Sequence, residues 1–346
     1  MSSPAAKVDR NGRPPLYLLS KSLRAAIFLL LVANAATGCV SNASRPVTEA
    51  PQPALARFQY TQVHMGVPVR LTVYAPDEQT ASTACRAAYE RMAQLDDILS
   101  DYRSQSELMR LSAKAGGGPV PVSNELYTVL AYARAVSSAS DGTFDVTVGP
   151  AVQLWRRARK THQMPTDAEL AEARGKMGYR KVVLDPDART VTLVTPGMRL
   201  DLGGIAKGYA GDEVIGVLKA HGIRRALFEA GGDIVASDAP PDKRGWTIEL
   251  FDSDPDHPRR VDIANSAIST SGDTEQFVIL NGRRYSHVVD PRTAIGLTNH
   301  HLATVTAKKG ITTDALSTAL TVLGPDGRKS LLRHYPDAEA YVRKAR

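Results

Sequence analysis

The chain has 346 residues, of which 43% are hydrophobic and 23% charged, with 26 Gly, 21 Pro and 2 Cys. A chain of that size and apolar content buries a core without covalent staples, which excludes wholesale disorder, a collagen-like repeat and a disulfide scaffold. The formal charge of +7 invites a nucleic-acid or membrane-surface reading, so its location matters.

Much of that charge sits at the N-terminus. Lys7, Arg10, Arg13, Lys21 and Arg24 face one acid, Asp9, ahead of an apolar run over residues 25–33 and the ending Ala36-Thr37-Gly38-Cys39. A basic segment, a short apolar run and small residues before a cut site compose a secretory signal; a membrane span needs about 20 apolar residues. The ending resembles a bacterial lipoprotein box in which Cys39 becomes the lipid-carrying first residue, with Ala36 where that pattern usually has Leu. An ordinary signal peptide with a coincidental cysteine has the same composition. Residues 1–38 hold five basic residues and one acid, more than half of the net charge, and aromatic residues make up 6% of the chain. No strongly basic, aromatic-interleaved segment follows, so no nucleic-acid partner is expected. Residues 39–56, rich in Ser, Pro, Ala and Thr, read as a flexible tether, and residues 57–346 as the folded domain. With Cys39 lipidated, Cys85 has no partner for an intramolecular disulfide.

Alternating residues predict strands over 58–64 and 69–75 around a Met65-Gly66 turn. Ala88, Met92, Leu95 and Leu99 recur at helical spacing and predict a helix over 83–101. Ser123 caps a second helix carrying the stripe Leu126, Val129, Leu130, Ala133 and Val136. Thr166-Asp167-Ala168-Glu169 is a capping box for a third, ended by Gly178. Strands are expected at 182–184, 190–194 and 198–202, then a helix over 206–221 closed by Gly222. Further strands at 226–229, 246–251, 276–280 and 303–307 precede helices at 312–323 and 327–335. Strands and helices mix without a βαβ repeat or a period of 20–50 residues. This predicts an α+β fold, a single compact domain of two packed halves with mixed or antiparallel sheets and flanking helices.

Four clusters carry candidate chemistry, all in loops or at helix starts. Asp201-Leu202-Gly203-Gly204-Ile205-Ala206-Lys207 runs from a strand end through a glycine pair into a helix. Its free N–H groups and Lys207 suit a phosphate, and its glycines equally suit a plain tight turn. Asp314, Ser317 and Thr318 share one face of a helix whose other face is apolar, an all-oxygen set that selects a hard cation such as Mg²⁺. Alternatively, Asp314 does no more than complement the helix dipole. His287, before the Asp290-Pro291 turn, is a candidate general base. Thr143-Phe144-Asp145 offers a ring and a carboxylate in a turn, which also fits a buried Phe beside a structural turn.

In order along the chain, these clusters resemble the ApbE family, the FAD:protein FMN transferases. The resemblance covers residues 57–335 and includes His64-Met65-Gly66, Tyr102 with Ser106-Glu107-Leu108, Gly142 to Pro150, Asp201 to Tyr209, Ala230-Gly231-Gly232-Asp233, Ser269-Thr270-Ser271-Gly272, Ser286 to Pro291 and Thr313 to Thr318. It implies a T-fold-like domain that takes FAD and Mg²⁺, moves FMN onto a Thr or Ser hydroxyl of a target protein and releases AMP. FAD contacts are implied for Met65, Tyr102, Thr143, Phe144, Asp145, Asp201, Lys207 and the main chain near Val289. Mg²⁺ would sit among the Gly204 carbonyl, Asp314 and Thr318, with Ser317 as a further ligand. Asp201 and His287 become candidates to deprotonate or orient the incoming hydroxyl, and Lys207 to stabilise the departing phosphate. Some relatives hydrolyse FAD to FMN and AMP, and a flavin-carrying lipoprotein would need the same pocket. The resemblance further implies an exported protein, lipid-anchored facing the periplasm, acting on a subunit of a membrane redox complex. Glu229 and Ala294 depart from the usual Asn and Gly of the family and put local loop shape in question.

Overall fold

The computed structural model describes residues 54–250, 259–272 and 276–344, so the leader, Cys39 and most of the expected tether lie outside the described residues. An antiparallel sheet of seven strands organises the rest. Its spatial order follows the chain: Ala56–His64, Val67–Ala75, Arg225–Ala230, Asp233–Ala236, Ser266–Ser271, His301–Ala307 and Glu339–Lys344. Alternation dictates its two faces. Val69, Leu71, Val73 and Ala75 are fully buried on the face covered by helices Glu78–Leu99, Ala206–Ala220 and Gly310–Leu332. The opposite face is covered in part by a ribbon, Trp246–Glu249 paired with Arg260–Ile263, whose Trp246, Ile248 and Ile263 pack on Leu227, Ala236 and Ile268.

A second apolar cluster forms around Trp155 on helix Gly149–Thr161. Helix Asp167–Gly175 contributes Leu170 and Ala173, and the hairpin of Phe277–Leu280 with Arg283–Ser286 contributes Val278 and Leu280. Trp155 is 2% exposed; its indole N–H donates to the Ala294 carbonyl at 2.8 Å and its ring stacks on Tyr285 with centroids 4.9 Å apart. Truncating Trp155 to Ala is therefore expected to cost about 3–5 kcal/mol, through a cavity and an orphaned carbonyl, read as a lowered urea midpoint.

The α+β expectation holds, with differences that have local causes. The first helix starts at Glu78 rather than 83, because Asp77 caps it by accepting from the Thr80 N–H at 2.7 Å. Helix Gly149–Thr161 stands where no helix was expected. Proline at a first helical position starts helices rather than breaking them, so Gly149-Pro150 marks its opening. Residues 198–202 form no strand: Leu200 N–H donates to the Ser112 hydroxyl and Asp201 N–H to the Val146 carbonyl, one bond to each of two separate segments. The two C-terminal helices run as Gly310–Leu332, broken at Gly324, where φ is 72° and ψ −174°. The short helix Glu107–Ser112, capped by Ser106, also escaped the periodicity reading, being too brief to show one.

Candidate functional site

A cleft of ≈ 460 Å³ opens at one end of the central sheet, where the turns at Met65 and at Gly231-Gly232 meet the segment 270–272. Every catalytic, flavin-contacting and metal-holding residue expected from the sequence lines it. Met65 and Gly66 join two strands through φ values of 49° and 76°, the left-handed pair of a two-residue hairpin whose twist matches the sheet. Tyr102 stands 72% exposed at the cleft, with the Arg156 guanidinium 4.1 Å from its ring centre.

The loop carrying Thr143, Phe144 and Asp145 is held by its own polar groups. The Thr143 hydroxyl donates to the Ser140 carbonyl at 2.9 Å. Asp145 accepts from the Thr147 N–H and hydroxyl with one oxygen and from the Tyr179 N–H with the other. Burial pushes its carboxyl up, and those three donors push back. Both oxygens are engaged inside the protein, so what Asp145 visibly does is fix the wall on which Thr143 and Phe144 stand.

On the other side of the cleft, Val289 is buried and His287 is half-buried. His287 places Nδ1 3.0 Å from the Gln276 carbonyl oxygen. A carbonyl only accepts, so in the neutral ring Nδ1 carries the proton and the lone pair falls to Nε2, the tautomer a general base needs.

Two helices form the floor. Asp201 accepts from the Gly203 N–H at 2.9 Å, and the chain turns into helix Ala206–Ala220. The Gly204 main chain lies against Thr318, so closely that a Cβ there would stand 2.7 Å from the Thr318 hydroxyl oxygen. Lys207 Nζ donates to the Gly203 carbonyl at 3.0 Å and lies 3.2 Å from Asp233 and 4.0 Å from Asp314. Asp314 in turn accepts from the Gly208 N–H at 3.0 Å, while the Ser317 hydroxyl donates to the Asp314 carbonyl.

The sequence reading assigned no role to Asp101, Arg156 or Asp233, and these complete the electrostatics. Arg156 bridges Asp101 and Asp201, with its contact to Asp201 at 3.2 Å. The cleft therefore holds six carboxylates, Asp96, Asp101, Asp145, Asp201, Asp233 and Asp314, against the three cations Arg156, Arg159 and Lys207. Burial, then Asp233, pushes Asp314 up to about 7 against the pull of Lys207. Burial, then Asp101, pushes Asp201 up to about 6 against Arg156. Burial alone would lower Lys207, but Asp233 and Asp314 outweigh it and hold the ammonium above the ordinary lysine range. Arg156 was hidden by the unexpected helix that bears it; the Ala151, Trp155, Ala158 spacing was the available signal.

The sign of the Asp201 shift gives a pH prediction. A carboxyl whose folded pKa is above its unfolded value of 3.8 favours folding fully below that value and loses the benefit as pH rises to about 6. The metal-free wild type should thus lose on the order of 2 kcal/mol relative to Asp201→Asn between pH 4 and pH 7. Parallel pH–stability curves for the two proteins, from thermal unfolding, would contradict the assignment.

With that geometry, the similarities to known proteins are informative. The ApbE family model matches residues 65–342. An FAD:protein FMN transferase of Klebsiella pneumoniae (strain 342) is 31% identical over 294 residues, 84% of this chain and 90% of its own. One from Treponema pallidum (strain Nichols) is 30% identical, covering 82% of this chain and 83% of its own. Among solved structures, the apo form of Pseudomonas stutzeri flavinyl transferase ApbE superposes with a TM-score of 0.74 at 30% identity, over 84% of this chain and 92% of that one. The ApbE protein of Thermotoga maritima gives 0.73 at 28% identity, over 84% and 97%. The chain belongs to the ApbE family.

Proposed function

We propose that this protein transfers the FMN half of FAD onto a Thr or Ser hydroxyl of a target protein, with Mg²⁺, and releases AMP. The single observation that carries the metal requirement is the charge imbalance of the cleft. Its formal charge is −3, six carboxylates against three cations, before any substrate enters, and the FAD diphosphate adds further negative charge. Lys207 is already matched by Asp233, so it does not neutralise a diphosphate alone.

Among the described residues no three His, Cys, Asp or Glu side chains make a ready metal cluster. That fits Mg²⁺, which takes one or two carboxylates and leaves positions for substrate phosphates and water, whereas a zinc site takes three or four His, Cys, Asp or Glu side chains. Asp314, the Thr318 hydroxyl, the Gly204 carbonyl and Ser317 are the residues that would hold it, all oxygen donors at the cleft floor. When bound, the ion neutralises phosphate charge that builds as the bond between the two phosphates breaks.

The chain's own residues supply position and proton transfer. The acceptor oxygen attacks the FMN phosphorus, its proton passes to a base, and the phosphorus–oxygen bond to the AMP phosphate breaks as AMP departs. His287, in the tautomer set by Gln276, and Asp201, held by Arg156, are the two candidate bases. Met65, Tyr102, Thr143, Phe144 and the main chain at Val289 offer apolar and aromatic surface for the flavin and adenine rings, with Asp145 bracing that wall. Lys207 stands where it would steady the leaving phosphate.

The basic leader and Cys39 support an exported protein, lipid-anchored and facing the periplasm, and the family resemblance supports a membrane redox subunit as acceptor. No helix among the described residues is long and apolar enough to cross a membrane. Incubation of the purified protein with FAD, Mg²⁺ and a threonine-bearing domain of such a subunit should yield AMP and a covalently fluorescent acceptor band in equal amounts. AMP without that band would make the protein an FAD hydrolase, and FAD binding without AMP a carrier.

A further inference from the structure

The two helices that meet beneath the cleft open with the same pattern, Lys207-Gly208-Tyr209-Ala210-Gly211-Asp212 and Lys309-Gly310-Ile311-Thr312-Thr313-Asp314. Their first turns cross glycine on glycine. A Cβ on Gly208 would stand 2.1 Å from the Gly310 carbonyl oxygen, and one on Gly310 would stand 2.4 Å from that of Gly208. The aspartates then exchange caps. Asp314 accepts from the Gly208 N–H at 3.0 Å, while Asp212 accepts from the Gly310 N–H at 2.7 Å and the Ile311 N–H at 3.0 Å, one with each oxygen.

Neither helix is capped by a side chain of its own preceding residue, Ile205 in one case and Lys309 in the other. At the second helix the exchange serves the Gly310 and Ile311 N–H groups, and the Thr312 and Thr313 N–H groups both turn back to the Lys309 carbonyl at 3.2 Å. A carboxylate there also meets the positive end of the helix dipole. Asp314 lines the cleft and Asp212 does not.

We propose that Asp212 is a positioning residue for the metal site. By holding the first two N–H groups of the second helix, it fixes the height and rotation of that helix, and with them the place of Asp314 beside Gly204 and Lys207. This inference rests on the reading that Asp314 holds the cation. Without Asp212 two N–H groups at the helix start lose their acceptor, the first turn shifts to find another, and Asp314 moves with it.

Mn²⁺ is the probe, titrated by electron paramagnetic resonance into protein with ADP present, a diphosphate that has no FMN to transfer. At a temperature well below each melting midpoint, Asp212→Ala should weaken Mn²⁺ binding at least tenfold, the scale seen when a partner behind a metal ligand is removed. Asp212→Asn, whose single amide oxygen serves one N–H, should fall between it and wild type, and ADP affinity without metal should stay within about twofold of wild type, because Asp212 lies outside the cleft. An Asp212→Ala protein that melts earlier but binds Mn²⁺ as wild type does would overturn the proposal and leave Asp212 a stability residue only. Should the Ala variant not fold, Asp212→Asn and Asp212→Ser decide the matter by the same titration. Asp314→Asn separates the two layers of argument. If it binds Mn²⁺ normally, the cation reading fails and the inference with it; if it loses Mn²⁺ while the Asp212 variants keep it, only the inference fails.

Discussion

Asp314→Asn is expected to lower Mg²⁺-dependent AMP release from FAD by at least about 10³-fold, roughly 4 kcal/mol of transition-state stabilisation, while the metal-free protein stays as stable as wild type or becomes more so. The two halves of that expectation have separate causes. An amide oxygen still accepts from the Gly208 N–H, so the helix start keeps its partner. In the metal-free protein Asp314 and Asp233 share one lysine, and neutralising Asp314 removes a repulsion between buried carboxylates. With the cation present the balance reverses, because the site loses the charged ligand that no neighbouring hydroxyl replaces. Chromatographic AMP release and a thermal melt on the same preparation test both halves. Parental turnover in the Asn variant would remove Asp314 from the metal site. A large loss of stability would mean that Lys207 needs Asp314 more than Asp233 repels it.

Strand alternation and glycine placement made four of the seven strands of the central sheet and all four chemical clusters legible in the sequence, while Asp233–Ala236, Ser266–Ser271 and Glu339–Lys344 were not expected as strands. The pattern at 69–75 reads directly as a buried face because each strand residue faces one side only, and Leu71 and Val73 lie where that period puts them. Asp314, Ser317 and Thr318 were legible for the same reason, since three- and four-residue spacing fixes a shared helix face. What spacing does not encode is which separate elements meet. Arg156 is a single cation on a helix opened by Gly-Pro, and nothing near it in sequence names Asp101 or Asp201 as partners 55 and 45 residues away. Asp233 stood inside a recognisable motif, yet its pairing with Lys207 requires the sheet and a helix to be assembled first. Asp145 adds a role that residue type does not announce: it lines the cleft, and the folded loop also brings the Tyr179 N–H to its second oxygen.

Gly208→Ala is expected to cut AMP release about 100-fold and lower the melting midpoint by several degrees, although alanine is the better helix former by about 1 kcal/mol. The new methyl would sit 2.1 Å from the Gly310 carbonyl oxygen and 2.7 Å from the Asp314 Cβ, far inside the ~3.5 Å of an ordinary contact. The nearer of these is main chain, so no rotamer change relieves the clash and the two helices must part. Overpacking of this kind costs about 1–3 kcal/mol or more, which outweighs the propensity gain. Separation also displaces Asp314 from Lys207 and Thr318 from Gly204, and a shift of about 1 Å at a reacting centre is enough for a 100-fold loss. Gly216 on the same helix provides the control. It is exposed, and a methyl there would meet no atom within 4 Å, so Gly216→Ala should stabilise by roughly 0.5–1 kcal/mol and leave turnover unchanged. If both alanines behaved alike in the melt and the AMP assay, the close glycine crossing would not be what holds the cleft floor together.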